Sequence, residues 1–140
     1  MNDVTITKTA FFKAPREIVW AFLTEKEKLG KWFHPADKDL VEGEEYSLLG
    51  AADDGAKMKI CWGTVLQMLP PEKLVWSFTV NALQGVMTTV SWTLEELNGG
   101  TKLTLVHSGL DATGKGLDLI TMLDAGWDMH LGKLRDLNKD

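Results

Sequence analysis

The chain has 140 residues, of which 44% are hydrophobic and 25% charged, with a formal net charge of −5 at pH 7. This composition suits one globular domain spanning residues 1–140. The basic residues are scattered and form no patch of the kind that nucleic acids require, and the negative net charge disfavours anionic membrane surfaces. No signal peptide and no run of roughly twenty apolar residues is visible, so we expect a cytoplasmic protein that does not bind membranes.

The N-terminal part predicts a strand followed by two short helices. Residues 4–12 are β-branched and partly alternating, which is typical of a strand. Pro15 is well placed in the first turn of a helix. Thr24 and Glu27 have the spacing of a capping box that would begin a second helix. The proline in the Trp-Phe-His-Pro run at 32–35 disfavours continuation of that helix.

The middle of the chain is almost entirely strand-like and is punctuated by tight turns. The Asp-Gly step within residues 51–56 and the Asn-Gly step at 98–99 are typical of hairpins. Consecutive strands joined in this way build an antiparallel meander with one buried face. The predicted strands span residues 45–50, 57–69, 73–80, 86–97 and 101–108.

After residue 109 the apolar residues return to helical spacing and predict one long C-terminal helix. The residues that share its buried face are Trp127, Leu131, Leu134 and either Leu137 or Asn138. Gly126 would let this helix approach a strand closely. The predicted fold class is therefore α+β: a curved antiparallel sheet of about six strands wrapped around the long helix, with two short helices after the first strand.

Alternation along the strands predicts which side chains line the space between sheet and helix. On strand 57–69 we expect the bulkier alternate set inward and Cys61 outward and inert, although a bulge at Gly63 could exchange the two faces. The predicted ligand-binding cavity is lined by Met58, Ile60, Trp62, Thr64, Trp76, Phe78, Val90, Trp92, Leu105, His107, Leu123 and Trp127. Such apolar walls are typical of a small-ligand pocket and also of an ordinary core, and for the six tryptophans core packing is favoured.

Few residues offer catalytic chemistry, and we assign none as catalytic. His107 is in phase with inward leucines, His130 flanks the buried helix face, and His34 is expected to be exposed. Asp124 and Asp128 share one side of the long helix, where a solvated face is favoured over an acid–base pair. The histidines lack metal-site spacing, and no phosphate-binding or dinucleotide motif is present, so we expect no metal and no cofactor. The single cysteine excludes an internal disulfide.

Four stretches of the sequence together resemble one protein family in the right order. They are APREIVWAFLTEKEKLGKWF at 14–33, GTVLQMLPPEKLVWSF at 63–78, VSWTLEELNGGTKLTLVHSGL at 90–110 and GWDMHLGKLRDL at 126–137. The chain resembles the helix-grip fold of the SRPBCC superfamily, also called START-like or Bet v 1-like. Within it, the chain is most similar to the branch named for the activator of heat shock protein 90 ATPase homologue. The resemblance implies a deep cavity for hydrophobic small molecules and brings no fixed catalytic motif.

The leading functional hypothesis is binding of a hydrophobic, aromatic or lipid-like small molecule without catalysis. One alternative is an enzyme of the cyclase or hydrolase type that uses His107 or an inward aspartate for proton transfer. Another is a chaperone ATPase-activating or stress-response module, which the family name suggests but no specific surface run supports. We expect a hydrophobic ligand as the partner, and either a monomer or a homodimer.

Overall fold

The computed structural model describes residues 4–51, 57–80, 83, 85–110 and 117–138, which form six strands and three helices. In chain order these are β1 (Ile6–Phe12), α1 (Arg16–Thr24), α2 (Lys26–Trp32), β2 (Glu45–Ala51), β3 (Lys57–Leu69), β4 (Lys73–Val80), β5 (Thr88–Leu97), β6 (Gly100–Ser108) and α3 (Leu117–Leu137). The kind and order of the elements confirm the sequence prediction. The predicted turn at 51–56 lies, apart from residue 51, outside the described residues.

The six strands form one antiparallel sheet in the order β1-β6-β5-β4-β3-β2. Strands β2 to β6 follow one another as a meander, and β1 pairs with the outer edge of β6. The β5–β6 hairpin turns at Asn98 and Gly99, whose φ angles of 52° and 87° are those that a tight hairpin requires. The predicted α+β helix-grip architecture is therefore confirmed.

The start of α2 differs from the prediction. Thr24 belongs to the end of α1, where its hydroxyl donates a hydrogen bond to the carbonyl oxygen of Trp20 at 3.0 Å. The amide N–H of Lys26 instead donates to the carboxylate of Asp39 at 2.9 Å. The capping box predicted from Thr24 and Glu27 is thus wrong, because a carboxylate from the following loop satisfies the free N–H at the helix start.

Helix α3 lies against the sheet and contacts α2 and β1. Its fully buried side chains are Trp127, Leu131, Leu134 and, just beyond its last residue, Asn138. The amide of Asn138 donates to the carbonyl oxygen of Leu134 at 2.9 Å, whereas Leu137 is 47% exposed. Asn138 is therefore the residue that completes the buried face.

Four of the six tryptophans are buried between the sheet and the helices. The ring of Trp92 lies at the centre, with centroids 5.8 Å from Trp32, 5.6 Å from Trp76 and 5.6 Å from Trp127. The interplanar angles are 87°, 75° and 82°, the edge-to-face arrangement that aromatic pairs favour. Trp32, Trp76 and Trp92 therefore pack in the core, as the favoured interpretation predicts, whereas Trp127 packs against Trp92 and also lines a pocket.

Strand β3 presents the face opposite to the one predicted. Its buried residues are Cys61, Gly63 and Val65. Its exposed or half-buried residues include Met58, Ile60, Trp62, Thr64 and Leu66. The register shifts of β3 lie opposite Leu48/Leu49 and between Val65 and Gln67, and not at Gly63.

The reason for this phase lies in the neighbouring strands. Tyr46 of β2 pairs with Gly63, and its buried hydroxyl donates to the carbonyl oxygen of Ser77 on β4 at 2.7 Å. A Cβ atom on Gly63 would lie 2.0 Å from that same oxygen. Large rings from β2 and β4 already occupy the inner side, so β3 has room there only for small side chains.

Candidate functional site

A pocket of about 210 Å³ opens between the sheet, the end of α2 and α3. Its wall combines aromatic, aliphatic and imidazole side chains from β3, β4, α3 and the loop that follows α2. The lining residues are Phe33, His34, Cys61, Phe78, Val80, Met122, Leu123, Gly126, Trp127 and His130. Among the described residues of this wall none is an aspartate, glutamate, lysine or arginine. The interior is therefore apolar and carries no fixed charge.

Gly126 creates part of the open space. A Cβ atom placed on this residue would meet no atom within 4 Å. The predicted close approach of helix and strand at Gly126 is therefore wrong. The missing side chain instead leaves open space at the pocket wall, which Leu123, Trp127 and His130 of the same helix also line.

Phe33 forms an aromatic wall of the pocket together with residues of α3 and β4. Its ring centroid lies 5.4 Å from that of Trp127, 6.3 Å from that of Phe78 and 4.7 Å from that of His130. The backbone of Phe33, at φ −128° and ψ −104°, ends α2 and redirects the chain. His34 is consequently half-buried on the pocket wall, and the prediction that it is exposed is wrong.

Two half-buried imidazoles, those of His34 and His130, meet at the pocket with ring centroids 5.5 Å apart. Nδ1–H of His130 donates to the carbonyl oxygen of Trp32 at 3.0 Å. Burial lowers the pKa of His34, and His130 and Lys133 lower it further. Burial also lowers the pKa of His130, against the bond to Trp32, which raises it. Both rings are therefore neutral at pH 7.

His107 is fully buried and takes part in a continuous chain of hydrogen bonds. The indole N–H of Trp127 donates to Nδ1 of His107 at 3.0 Å. Nε2–H of His107 then donates to the hydroxyl of Thr88 at 2.7 Å, and that hydroxyl donates to the carbonyl oxygen of Phe78 at 2.7 Å. An indole only donates and a carbonyl only accepts, so this chain fixes one neutral tautomer.

The same environment makes His107 a poor base. Burial lowers its pKa to about 4. Its single lone pair, on Nδ1, is already occupied by the N–H of Trp127. His107 therefore has no free position at which to accept a proton from a substrate, and it does not line the pocket.

The aspartates of α3 face away from the pocket. Asp124 and Asp128 accept hydrogen bonds from the ammonium group of Lys8 at 2.8 Å and 2.9 Å, and their side chains are 51% and 64% exposed. The predicted solvated face is confirmed. Within the described part of the chain, no group of three or more histidines, cysteines or acidic residues is arranged to hold a metal ion.

Cys61 is buried and lies on the pocket wall, contrary to its predicted outward orientation. The cause is the inverted phase of β3. Burial raises the pKa of the Cys61 thiol to about 12. The thiol is therefore protonated at neutral pH and adds no charge to the pocket.

The structure divides the predicted cavity residues into three groups. The pocket wall contains Phe78, Leu123 and Trp127. The packed core contains Trp76, Val90, Trp92, Leu105 and His107. The remaining residues, which are exposed or half-buried and do not line the pocket, are Met58, Ile60, Trp62 and Thr64.

Sequence reasoning missed most of the pocket wall. Val80 could have been assigned to the cavity, because the alternation along the strand places it on the same face as Trp76 and Phe78. Met122 could have been found at helical spacing around Trp127, and His130 was predicted to flank the same face but was not assigned to the cavity. The missed residues are Phe33, His34, Cys61, Val80, Met122, Gly126 and His130.

None of the described helices has both the length and the apolar character needed to cross a membrane.

Comparison with known proteins identifies the fold and the family. A family model described as Activator of Hsp90 ATPase homolog 1-like protein matches residues 13–139. No curated protein sequence matches the chain.

Several solved structures are similar to the chain. Protein MLL2253 from Mesorhizobium loti is 22% identical with a TM-score of 0.78, and the match covers 96% of each chain. The Aha1 protein from Colwellia psychrerythraea, solved as a dimer in solution, is 22% identical with a TM-score of 0.78, covering 97% of this chain and 96% of that one. Protein CV1439 from Chromobacterium violaceum is 24% identical with a TM-score of 0.75, covering 98% and 99%. At these identities the structures establish the shared fold. With the family model spanning nearly the whole sequence, the chain belongs to the Activator of Hsp90 ATPase homolog 1-like family, on the helix-grip fold.

Proposed function

We propose that this protein binds a hydrophobic, aromatic or lipid-like small molecule in the pocket between the sheet and α3, without catalysing a reaction. The observation that carries the proposal is a pocket of about 210 Å³ whose described wall is mostly apolar and contains no aspartate, glutamate, lysine or arginine. An enclosed engineered cavity of roughly 150 Å³ in another protein, lined by apolar side chains, stays dry and binds benzene. A space of this kind favours an apolar guest over water, because few groups can hydrogen bond to water there.

The composition of the wall favours an aromatic guest. Phe33, Phe78 and Trp127 present ring faces and edges to one space, so a bound ring would find offset-stacked or edge-to-face partners. The side chain of Met122, which is 53% exposed, lies at the outer part of the same wall. Its flexible thioether can adapt to guests of different shape.

An enzymatic role has less support. The proton-transfer hypothesis relied on His107 or an inward aspartate, but His107 has both ring nitrogens engaged. Asp124 and Asp128 pair with Lys8 of β1 where α3 contacts that strand, outside the pocket wall. The chaperone-activating alternative is suggested by the description of the family. A pocket that fits a small molecule does not by itself support binding to a chaperone.

Two experiments test the proposal. In native mass spectrometry of freshly purified protein, we expect a co-purified small molecule that is released on unfolding. For titration, 2-methylnaphthalene is a suitable neutral apolar probe, with binding followed by two-dimensional NMR. Gly126→Leu would fill the gap in α3, so we expect at least about a tenfold loss of affinity, equal to about 1.4 kcal/mol.

Gly132→Leu is the matched control. Gly132 also lies on α3, a Cβ there would likewise meet no atom within 4 Å, and the residue does not line the pocket. We expect this variant to bind 2-methylnaphthalene as the unsubstituted protein does. Equal affinity in both glycine variants would show that the probe binds elsewhere and would refute the proposed site.

A further inference from the structure

The pocket has one polar end, formed by the imidazoles of His34 and His130. Their rings lie edge to face at 68°, and both pack against Phe33 with centroids 4.7 Å from its ring. The rest of the described wall offers a bound molecule little hydrogen bonding. The indole N–H of Trp127 is engaged by His107. A guest with a polar group would therefore direct that group toward the two histidines.

The hydrogen-bonding character of His130 follows from its backbone contact. The carbonyl oxygen of Trp32 can only accept, so the ring proton of neutral His130 sits on Nδ1. Nε2 then carries a lone pair, and no described residue donates a hydrogen bond to it. His130 thus presents an acceptor, and not a donor, on the pocket wall. This is the opposite arrangement to His107, whose lone pair is already satisfied.

Charge further restricts the guest. The described wall contains no residue of fixed charge. Burial lowers the pKa of both histidines, which keeps them neutral near pH 7, and it raises the pKa of Cys61 to about 12, which keeps the thiol protonated. An ionised guest would lose its hydration without gaining a charged partner in the described wall, since Lys133, which lowers the pKa of both histidines, lies outside that wall. The wall therefore fits a neutral molecule.

Size gives the third restriction. A cavity of roughly 150 Å³ suffices for benzene. The pocket here, at about 210 Å³, has room for a body somewhat larger than one benzene ring. A fused pair of aromatic rings is a fitting probe.

We propose that the pocket selects an uncharged aromatic molecule of about two fused rings that carries a hydroxyl or similar hydrogen-bond donor, and that Nε2 of His130 accepts this hydrogen bond. The inference rests on the proposed function, since the apolar body of the molecule must occupy the same pocket. His130 is in this view a specificity-determining residue. It distinguishes a donor-bearing guest from an apolar guest of equal size.

Three probes of matched shape test the proposal at pH 7.5, where 2-naphthol is neutral. 2-Naphthol has a donor, 2-methoxynaphthalene keeps the oxygen but has no donor, and 2-methylnaphthalene has neither. We expect 2-naphthol to bind about tenfold more tightly than the other two, as befits one additional hydrogen bond. In His130→Phe the preference among the three probes should disappear, whatever the change in the affinity that they share, because the acceptor is lost for all of them.

If His130→Phe does not fold, a measurement on the unsubstituted protein can test the role of His130 instead. In ¹⁵N NMR of the histidine rings, the Nε2 resonance of His130 should shift upfield on saturation with 2-naphthol and should not do so with 2-methoxynaphthalene. Equal affinities for the three probes, or a 2-naphthol preference that survives in His130→Phe, would overturn the assignment of His130 while leaving the proposed function intact. Binding of none of the three would overturn both.

Discussion

The indole N–H of Trp127 on α3 donates to Nδ1 of His107 on β6 at 3.0 Å. The chain of hydrogen bonds continues from His107 through Thr88 to the carbonyl oxygen of Phe78. Trp127 and Phe78 both line the pocket, so the two ends of one buried network hold two of its walls. The core beneath the pocket thus fixes the position of α3 over the sheet.

Replacing Trp127 tests how much its contacts with the sheet contribute to the free energy of unfolding. Trp127 is 3% exposed and packs against Phe33, Phe78, Trp92 and His107. We expect Trp127→Ala to cost about 3–5 kcal/mol of folding free energy, because a large buried ring is lost and Nδ1 of His107 is left without a donor. Urea denaturation measures the change. A loss below about 0.5 kcal/mol, typical of surface sites, would mean that Trp127 is not packed against the sheet.

Trp127→Phe separates the hydrogen bond from the packing. This variant keeps an aromatic ring but has no N–H, so we expect a loss of about 1–3 kcal/mol, smaller than that of Trp127→Ala. Identical losses in the two variants would mean that ring volume contributes nothing to the stabilisation.

The stability of the protein should fall at mildly acidic pH because of His107. The unfolded chain binds this proton near pH 6.5, whereas burial lowers the pKa of His107 to about 4 in the folded protein. The contribution of neutral His107 to the free energy of unfolding is therefore fully present above pH 6.5. We expect roughly 3 kcal/mol of it to be lost as the pH falls to 4. Urea denaturation at a series of pH values between 7 and 4 measures this slope.

His107→Gln is the control for that slope. His34 and His130 also have lowered pKa values and contribute in the same direction, so the comparison must be between proteins that retain both. We expect the variant to be less stable at pH 7 but flatter in its pH dependence. An unchanged slope would show that His107 is not the group that titrates.

The fold was largely predictable from the sequence because its signals are local. The Asn98-Gly99 turn, strand alternation and helical spacing around Trp127 each identify an element within a few residues. The start of α2 was not predictable in this way, because Asp39 reaches it from outside the local window. Local secondary-structure propensities do not predict contacts between residues this far apart in the sequence.

The pocket was harder to predict for the same physical reason. The inward face of β3 is decided by Tyr46 on the neighbouring strand, which requires Gly63 opposite it, and not by the bulk of the side chains of β3 itself. His34 and His130 meet only because α2 ends at Phe33 under α3. The positions of these residues depend on tertiary packing, and no local sequence pattern predicts them.

Gly63 should be intolerant of a side chain. The Cβ of an alanine there would lie 2.0 Å from the carbonyl oxygen of Ser77, so β3 and β4 would have to separate. We expect Gly63→Ala to lose about 1–3 kcal/mol or more, as overpacked sites do. Thermal and urea denaturation give the loss.

Tyr46→Phe is the variant whose loss of stability should be compared with that of Gly63→Ala. It removes the hydrogen bond to Ser77 without adding volume, so we expect a loss of about 1–2 kcal/mol. A Gly63→Ala variant as stable as the unsubstituted protein would contradict the close approach of the strands.

Alanine at Gly126 should have the opposite effect to alanine at Gly63. A Cβ on Gly126 meets no atom within 4 Å, and glycine within a helix is about 0.5–1 kcal/mol less favourable than alanine. We therefore expect Gly126→Ala to stabilise the protein by about that amount, as should Gly132→Ala on the same helix. A net destabilisation of Gly126→Ala alone would mean that α3 packs closely at this position and that no gap exists there.

The most direct measurement of ligand binding in the pocket is the indole N–H region of a ¹H–¹⁵N NMR spectrum during titration with 2-methylnaphthalene. Trp127 lines the pocket, whereas Trp62 lies on the other face of β3. We predict a saturable shift of the Trp127 indole signal with little change at Trp62, and loss of that shift in Gly126→Leu. A saturable response confined to Trp62, or no saturable response at Trp127, would contradict binding between the sheet and α3.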